Sequence, residues 1–320
     1  MKGLKHSGGK VAIIDVGSNT IKVLCAENND QRIKKLGAKS IEARLGGDQR
    51  VEGNWLEDES RKAAIRAILD LQDFALNHEV EKIETVATSA VRDASNQDQF
   101  LEEIAHEAAS PLRVLTEKEE ATLIGRGIAC DPDLPDPKCF CALDIGGGSL
   151  ECIEYQDRDV TKGISLPIGA VRLAGLLKSK GKLPITEEEI NELKEFVSKK
   201  LQDAKTKFLS KDGTVIGCGR AFSISRAILA YRSGVKYEDF PVTISISDLA
   251  KLFEELRKLR LEDRCKIPCL SEGRADILPV ALLVLMTVAE EHNVSHFHHS
   301  QYNLRFGLAA TSFGYFNNKV

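Results

Sequence analysis

Val11-Ala-Ile-Ile-Asp-Val-Gly-Ser-Asn-Thr-Ile-Lys-Val-Leu24 is one copy of the pattern that decides the fold, and Phe140-Cys-Ala-Leu-Asp-Ile-Gly-Gly-Gly-Ser-Leu-Glu-Cys-Ile153 is the other. Each copy is typical of an apolar strand that ends in Asp-[Val/Ile]-Gly, then a turn of small residues and a second strand. The two aspartates, Asp15 and Asp144, are 129 residues apart. A repeat at this long period predicts two related α/β halves that face each other across a cleft.

The small residues of both turns are suited to binding phosphate. Residues of this kind let neighbouring backbone N–H groups converge without obstruction by Cβ atoms, which forms an anion-binding nest. The turn residues are Gly17, Ser18 and Asn19 in the first copy, and Gly146, Gly147, Gly148 and Ser149 in the second. A carboxylate beside a nest would repel phosphate unless it handles a metal or a water molecule. The alternative is a pair of plain hairpin turns with solvated aspartates, which the duplication disfavours.

Helical and extended patterns alternate around the two copies. Apolar spacing predicts helices over 57–76, 98–109, 168–177, 186–208, 247–259 and 274–290, and helices that begin at 221 and 304. Further strands are predicted over 32–45, 83–87, 112–115, 160–165, 214–217 and 294–297. Thr116 and Glu119 form a capping box at the start of a helix that runs to Ile128. The three prolines of residues 131–137 predict a stiff loop that connects two domains.

Composition and charge exclude several classes of protein. The 320 residues are 42% hydrophobic and 29% charged, which excludes a disordered chain or a fibrous repeat. The net charge of −4 and the lack of a basic block argue against a nucleic-acid partner. The longest apolar stretch, Ile277–Ala289, contains a proline and is too short to span a bilayer. Since Met1–Lys10 lacks an apolar signal core, we expect a cytoplasmic protein without a membrane partner.

Neither the cysteines nor the histidines show metal-ligand spacing, and none of the eight cysteines forms a Cys-x-x-Cys pair. The cysteines within apolar, strand-like runs are Cys139, Cys141, Cys152 and Cys218. Buried free thiols in a reducing compartment are the preferred interpretation over a structural zinc site. The clustered histidines are His292, His296, His298 and His299. We interpret them as a polar strand end rather than a metal site, although His296 and His298 would share one face of a strand.

Two other glycine-rich segments do not fit the common nucleotide-binding fingerprints. The segment Gly3–Lys10 has Gly9 where a P-loop needs lysine. The segment Gly217-Cys-Gly219 is followed by Phe222 where a dinucleotide fingerprint needs its third glycine. A P-loop and a dinucleotide fold are therefore disfavoured.

Eight ordered segments carry a resemblance to a known family. They are Asp15–Thr20, Arg44–Gly46, Ala87–Ala94, Glu119–Leu123, Asp144–Ser149 with Glu151, Leu166–Leu173, Arg274–Leu278 and Asn303–Gly307. The two Asp-Gly turns resemble the phosphate loops of the actin-like ATPase superfamily. The whole set resembles the exopolyphosphatase and guanosine pentaphosphate phosphohydrolase family in its short, two-domain form, over residues 11 to 310.

The resemblance implies a fold and a domain division. It implies an α/β protein of two actin-like (ribonuclease H-like) domains, each with a mixed five-stranded sheet flanked by helices, and an active site between them. Domain I would cover residues 1–128, with the C-terminal helix of about 306–320 packed back on it, and domain II would cover 129–305. The family is often dimeric, so the resemblance also implies a homodimer.

The resemblance implies hydrolysis of a terminal phosphoanhydride with a divalent cation, usually Mg²⁺. Glu120 corresponds to the general base, and Asp144 and Glu151 fall at metal-site positions, with Glu151 also near the attacking water. Asp15 opens the first catalytic loop, and Arg92 corresponds to a cleft arginine that binds phosphate. For a single position the plain alternatives are an exposed helix carboxylate at Glu120 and a surface ion pair at Arg92.

Further positions match or depart from the family pattern. Gly217 and Gly219 correspond to a substrate-binding turn, but Arg220-Ala221 stands where the family has a glycine-threonine pair. The Arg220 guanidinium would replace a backbone contact to phosphate or nucleoside there. Leu150 replaces a frequent threonine, and Phe306 replaces a common acidic residue.

The favoured function is a metal-dependent exopolyphosphatase that releases terminal phosphate from inorganic polyphosphate. The first alternative keeps this chemistry and changes the substrate to guanosine pentaphosphate, cleaved at its 5′ end. The second is a catalytically weakened binding or sensory homologue, suggested by the departures from the pattern. A sugar-kinase-like transferase is a weaker alternative, and it would consume ATP only with an acceptor.

Overall fold

A computed structural model of the protein shows two compact units, each with its own β-sheet. The first unit comprises Met1–Pro132 and Tyr302–Val320, and the second comprises Asp133–Gln301. The structure describes residues 9–30, 32–46, 54–108, 110–134, 136, 138–178, 181–205 and 214–316. The helix end expected near Phe208, and Pro135 and Pro137 of the predicted stiff loop, lie outside the described residues.

The first repeat copy forms a hairpin in the sheet of the first unit. The strands of this sheet are β1 (Lys10–Val16), β2 (Thr20–Asn29), β3 (Arg32–Glu42), β4 (Lys82–Ala87) and β5 (Leu112–Val114), in the order β3-β2-β1-β4-β5. Strands β1, β2 and β3 pair antiparallel, whereas β4 runs parallel to β1 and β5. The expected mixed, five-stranded sheet is confirmed. Strand β1 is central and buried almost throughout, which explains its unbroken apolar run.

Four helices follow the strands of the first unit. They are α1 (Asp58–Leu76), α2 (Ser89–Arg92), α3 (Gln97–Glu107) and α4 (Glu117–Ile128). The capping box at the start of α4 is confirmed, because Thr116 Oγ1 accepts from the Glu119 amide at 3.2 Å and Glu119 Oε2 accepts from the Thr116 amide at 2.8 Å. Helix α2 was not predicted, since a single turn is too short to show helical periodicity.

The second repeat copy forms the equivalent hairpin in the second unit. The strands here are β6 (Cys139–Ile145), β7 (Leu150–Gln156), β8 (Asp159–Leu166), β9 (Thr214–Cys218), β10 (Thr243–Ser245) and β11 (His296–His299), in the order β10-β11-β9-β6-β7-β8. The sheet is mixed as expected, but it has six strands and not five. The extra strand is β10, whose three residues pair antiparallel with β11 and are too few to show alternation in the sequence.

The helices and the last strand of the second unit depart from prediction in several places. They are α5 (Ala170–Ala174), α6 (Glu187–Asp203), α7 (Arg220–Arg232), α8 (Ile246–Leu256), α9 (Leu261–Arg264), α10 (Glu272–Ala275) and α11 (Leu278–His292). The single helix predicted over 274–290 is wrong, because Pro279 cannot donate a backbone hydrogen bond and instead lies in the first turn of α11. Helix α5 is shorter than the predicted 168–177. Strand β11 begins later than predicted, after Asn293 ends α11 in a left-handed conformation.

Helix α12 (Leu304–Ser312) packs against α4 within the first unit. Two glycines make this contact close: a Cβ atom on Gly307 would lie 1.8 Å from the Leu123 carbonyl oxygen, and one on Gly127 would lie 2.1 Å from that of Asn303. The two helix backbones therefore touch directly. This contact with α12 fixes the position of α4, the helix that carries Glu120.

Cysteine burial follows the strand pattern with one exception. Cys141, Cys152 and Cys218 are buried free thiols, as predicted, but Cys139 is exposed. Cys139 is the first residue of β6, where the strand emerges from the sheet into solvent. Burial raises the pKa of the Cys152 thiol far above its ordinary value. Among the described residues, no helix has both the length and the apolar character needed to cross a membrane.

Candidate active site

The predicted site residues of the first unit, here called the first half-site, begin at the end of β1. Asp15 is buried there, and it pairs in register with Lys22 on β2 and with Val86 on β4. Directly opposed residues of an antiparallel pair project from the same face of the sheet, with Cβ atoms about 4.5–5.5 Å apart. The carboxylate of Asp15 therefore has an ammonium-bearing side chain as its cross-strand neighbour.

The turn after Asp15 is held by a segment that follows β3. The Ser18 carbonyl accepts from the Gly46 amide at 2.7 Å, and the Asn19 carbonyl accepts from the Arg44 amide at 3.0 Å. The Ser18 hydroxyl lies 3.4 Å from that of Ser89, at the start of α2. In a trans peptide the C=O and the following N–H point in opposite directions. The amides of Asn19 and of the next residue are thus directed away from this anchoring segment.

Arg92 and Glu120 form an ion pair in the first unit. Arg92 Nη1 donates to Glu120 Oε2 at 2.7 Å and to the Leu115 carbonyl oxygen at 3.1 Å. The Glu120 side chain is only 7% exposed, so the plain alternative of a solvated helix carboxylate is wrong. Arg92 forms ion pairs both with Glu120 and, through Nε at 3.8 Å, with the partly exposed Asp93. A nearly buried carboxylate with a charge-assisted hydrogen bond has a fixed orientation.

The neighbouring residue Glu119 has a different task. It closes the capping box with Thr116 and accepts from Arg113 Nη1 at 2.7 Å. Burial acts to raise the pKa of Glu119, but the hydrogen bonds from Thr116 and the nearby Arg113 guanidinium lower it overall. One residue further along the helix, about 100° around its axis, Glu120 turns into the protein. The two adjacent carboxylates therefore face different ways.

The second half-site is a row of oxygen-bearing side chains across three strands. Asp144 on β6 pairs in register with Glu151 on β7, and Glu151 pairs with Ser165 on β8. All three therefore project from one face of the sheet. The Ser165 hydroxyl donates to Glu151 Oε1 at 2.9 Å, and Glu151 is buried. Two carboxylates on one face, one of them oriented by a hydroxyl, form an oxygen-rich environment for a cation.

The glycine-rich turn beside this row is held by the start of α5. The carbonyl oxygens of Gly146, Gly147 and Gly148 accept hydrogen bonds of 2.9–3.2 Å from the amides of residues 169–172. Within the turn, the Gly146 amide donates to the Ser149 carbonyl at 2.9 Å. Because the carbonyl groups point towards α5, peptide geometry directs the amides of residues 147–149 the other way. This is the arrangement that an anion-binding nest requires.

The remaining predicted binding residues lie at the end of β9 and directly after it. A Cβ atom on Gly217 would lie 2.4 Å from the Phe222 ring, so glycine is needed there for packing. Gly219 has a φ of +97°, and a Cβ atom on it would lie 2.6 Å from Asp144 Oδ1. Arg220, the next residue, is the exposed first residue of α7. Gly219 therefore lies beside Asp144, whereas Gly217 packs against the Phe222 ring.

The described residues contain no group of three or more His, Cys, Asp and Glu side chains arranged to hold a metal ion. His296, His298 and His299 lie on β11, as a strand-end interpretation requires. Burial lowers the pKa of His299 to about 4, with Arg226 and His298 contributing in the same direction. His299 is thus a neutral core residue at ordinary pH.

Comparison with known proteins assigns the chain to a family. The profile of the Ppx/GppA phosphatase family matches residues 24–316. The chain belongs to this family. Exopolyphosphatase 2 of Mycobacterium tuberculosis is 26% identical over 295 residues, which cover 88% of this chain and 90% of that protein. A bifunctional 3-dehydroquinate synthase/phosphatase of Fusobacterium nucleatum is 24% identical over 289 residues, covering 87% of this chain and 43% of that protein.

Solved structures of the Ppx/GppA family share the fold. The Aquifex aeolicus family member superposes with a TM-score of 0.79 at 23% identity, covering 98% of this chain and 100% of that one. An exopolyphosphatase from Cytophaga hutchinsonii gives a TM-score of 0.83 at 24% identity, covering 95% and 98%. The predicted actin-like, two-domain α/β fold is confirmed, and the protein is a hydrolase of the Ppx/GppA family.

Two departures from the Ppx/GppA pattern have structural explanations. Leu150 is fully buried in the core of the second unit. Phe306 is buried on α12, and its ring centroid lies 4.0 Å from that of Tyr302. Both side chains are packed, so neither change leaves an unfilled space.

Sequence reasoning missed several residues that hold the site. Ser89 and Ser165 contact predicted site residues through their hydroxyls. Gly169 and Arg172 hold the second turn, and they lie within a segment whose resemblance to the family was noted without a role for either. The sequence pattern of β8 does not fix its register with β7, so it could not predict that Ser165 lies opposite Glu151.

Proposed function

We propose that this Ppx/GppA family hydrolase is an exopolyphosphatase that releases the terminal phosphate of inorganic polyphosphate. The observation that carries the proposal is the in-register pair Asp144 and Glu151 beside the glycine turn 146–149. Carboxylates suit a cation and turned-out amides suit phosphate oxygens, so one face offers both contacts that a metal-bound phosphate chain needs.

The donor set of the second half-site fits Mg²⁺. Asp144 and Glu151 offer hard carboxylate oxygens, and Ser165 orients one of them at 2.9 Å. Magnesium sites commonly use one or two carboxylates and complete the shell with water and substrate phosphates. Bound at these carboxylates, Mg²⁺ would neutralise negative charge on the phosphate oxygens. Only two acidic residues are required of the protein, which agrees with the absence of a larger acidic cluster from the described part of the chain.

Glu120 is the proposed general base. Its carboxylate accepts the proton of the attacking water while the water oxygen bonds to the terminal phosphorus and the bridging P–O bond breaks. Arg92 contacts Glu120 at 2.7 Å, so we assign Arg92 to orienting the base in addition to the predicted phosphate contact. The amides of the two turns would bind phosphate oxygens.

Polyphosphate is preferred over guanosine pentaphosphate for two reasons. The M. tuberculosis relative, which the chain matches over 90% of that protein, is named an exopolyphosphatase. Arg220 is an exposed cation that directly follows Gly219 in the chain, and a chain of further phosphates would gain from its positive charge. The homodimer and the cytoplasmic location implied by the resemblance stay predictions.

The test is phosphate release at several Mg²⁺ concentrations from polyphosphates of different lengths and from guanosine pentaphosphate. We expect Mg²⁺-dependent release, with a higher kcat/KM for polyphosphate. A higher kcat/KM for the nucleotide would replace the proposed substrate but keep the chemistry. Tight polyphosphate binding without release at any Mg²⁺ concentration would instead identify a binding homologue. ATP consumption that depends on an acceptor would indicate a transferase.

A further inference from the structure

The second turn is connected to α5 by both backbone and side chain. The Ala170 amide donates to the Gly146 carbonyl at 3.0 Å, and the Val171 and Arg172 amides donate to the Gly147 carbonyl at 2.9 and 3.1 Å. The Arg172 side chain adds a further bond, from Nε to the Gly148 carbonyl oxygen at 3.0 Å. Each carbonyl of the three glycines therefore has a donor from α5 or the residue before it.

The approach of α5 to the turn depends on a glycine. A Cβ atom on Gly169 would lie 2.4 Å from the Gly148 carbonyl carbon and the Ser149 nitrogen. Since real Cβ atoms do not approach backbone atoms so closely, only glycine permits this contact. Two independent features, the absent Cβ at position 169 and the guanidinium at position 172, thus serve the same contact between helix and turn.

The hydrogen bond from Arg172 reinforces a backbone bond to the same peptide, because the Gly148 carbonyl also accepts from the Gly169 amide at 3.2 Å. Three successive glycines have the greatest conformational freedom of any sequence, so the turn must be ordered by its contacts. Holding the Gly148 carbonyl towards α5 directs the Ser149 amide away from it, because the two groups of one trans peptide are antiparallel. Preorganised amides bind an anion without the cost of ordering them at each turnover.

We propose that Arg172 is a positioning residue, which holds the Gly146–Ser149 turn in its phosphate-binding conformation through the Nε–H bond to the Gly148 carbonyl. The inference rests on the proposed phosphate hydrolysis for its kinetic consequence, but the hydrogen bond and the ordering of the turn stand independently of it. The rival role for the same side chain is direct attraction of phosphate by its positive charge.

Two substitutions separate the hydrogen bond from the charge. In Arg172→Gln, the amide nitrogen Nε2 stands at the same position along the side chain as arginine Nε and carries N–H donors, but the charge is lost. In Arg172→Lys, the charge is kept, but a CH₂ group stands where Nε was. Arg172→Ala removes both features. The three variants are compared by kcat and KM for Mg²⁺-dependent phosphate release from polyphosphate.

If Arg172 positions the turn, KM rises roughly three- to tenfold in the Ala and Lys variants, the range expected for one lost hydrogen bond. Arg172→Gln recovers KM to within about twofold of the wild type. Because the turn binds phosphate alike in ground state and transition state, kcat changes little. Wild-type KM in Arg172→Lys with a raised KM in Arg172→Gln would assign the residue to charge attraction and overturn the proposal. Equal effects of all three substitutions, or none, would also overturn it.

Backbone amide hydrogen exchange gives a readout that does not depend on activity. We expect faster exchange over residues 146–149 in the Ala and Lys variants and recovery in Arg172→Gln. The first turn, residues 17–19, belongs to the other unit and serves as the internal control. A wild-type protein that released no phosphate would refute the proposed function, while the exchange series would still decide the positioning role.

Discussion

The two hairpins of this protein share one design and differ in their charges. In each, a buried strand ends in aspartate, a short turn follows, and the turn's carbonyl groups accept amides from the segment after the third strand. In the first hairpin the residue opposite the aspartate is Lys22, and in the second it is Glu151. The backbone is thus duplicated, but the cross-strand partner is not.

This single difference separates two kinds of chemistry. An ammonium group opposite Asp15 offsets the aspartate's charge, so the amides of the first turn can attract an anion. A second carboxylate opposite Asp144 doubles the negative charge, which favours a cation and disfavours phosphate without one. Under the proposed function, the residue opposite the aspartate thus suits the second hairpin, but not the first, to a cation beside its phosphate-binding turn.

The largest expected effect is the loss of activity on substitution of Glu120, the proposed general base, which lies on α4 and in neither hairpin. Glu120→Gln keeps an oxygen that can accept from Arg92 but removes the basic carboxylate, so phosphate release falls roughly 10²–10⁴-fold, or about 3–5 kcal/mol in the barrier. Steady-state kinetics measures this loss, and circular dichroism checks the fold. Glu117→Gln, an exposed carboxylate in the first turn of the same helix, is the control. Activity near the wild-type level in Glu120→Gln would reject the assigned base.

The second unit carries an acid-sensitive residue in its sheet. The pKa of His299 is lowered from 6.5 to about 4 by burial and by Arg226 and His298, so the unfolded chain takes up this proton first. His299 therefore stabilises the fold above pH 6.5, and this contribution of about 3 kcal/mol is lost as the pH falls to 4. Urea unfolding from pH 7 to 4 measures the loss.

The control for this pH dependence is His299→Gln, which cannot titrate. Its free energy of unfolding should decrease less steeply over the same interval, although carboxylate titration will remain. If the free energy of unfolding of both proteins decreased equally between pH 7 and pH 4, burial would not lower the pKa of His299, and the prediction would be wrong.

Removing the charged residue opposite each aspartate tests the comparison of the two hairpins directly. Glu151→Gln removes one of two cation-binding carboxylates, so the Mg²⁺ concentration for half-maximal activity should rise by about 10–100-fold or more, a range seen even for lost outer-shell partners. Lys22→Gln should leave that concentration unchanged, because the first hairpin is assigned to phosphate. Mg²⁺ titrations of phosphate release measure both. A raised Mg²⁺ requirement in Lys22→Gln, with none in Glu151→Gln, would reverse the assignment.

The smallest expected effect concerns the anchor of the first turn. Ser18→Ala removes the contact of 3.4 Å between the Ser18 and Ser89 hydroxyls, while the backbone bond from Gly46 to Ser18 remains. We expect about 0.5–1 kcal/mol less stability and a change in KM of only a few fold. Thermal unfolding and KM measure this, with Ser89→Ala as the matched partner. A rise in KM much larger than that of the Arg172 variants would mean that the first turn depends more on its side-chain anchor than the second turn does.

Much of the fold could be predicted from local patterns. The capping box at Thr116 and Glu119 is confirmed because its two hydrogen bonds lie within four residues. The hairpins were predicted because an apolar run followed by small turn residues appears twice in the sequence. The strand β10 and the break before α11 could not be predicted so well, since the first forms only by pairing with β11 and the second depends on where Pro279 falls in a buried helix.

The candidate site divides in the same way. Asp15 and Asp144 are recognisable from the repeat, whereas Glu120 and Glu151 were proposed from the resemblance to a family. The resemblance to a family proposed Arg92 as a phosphate ligand, but it could not indicate that its guanidinium contacts Glu120, because 28 residues separate them. The role of Arg172 depends likewise on a turn 24 residues earlier in the chain.

The amino-acid sequence by itself determined the duplicated hairpins, the charges of their aspartates and cross-strand partners, and the start of the helix that carries Glu120, because each follows from neighbouring residues. Only the tertiary structure decided which side chains meet: Arg92 with Glu120, Ser165 with Glu151, and Arg172 with the glycine turn. Strand register and helix packing set those contacts, and both arise from burial summed over a whole unit and not from any local run of residues.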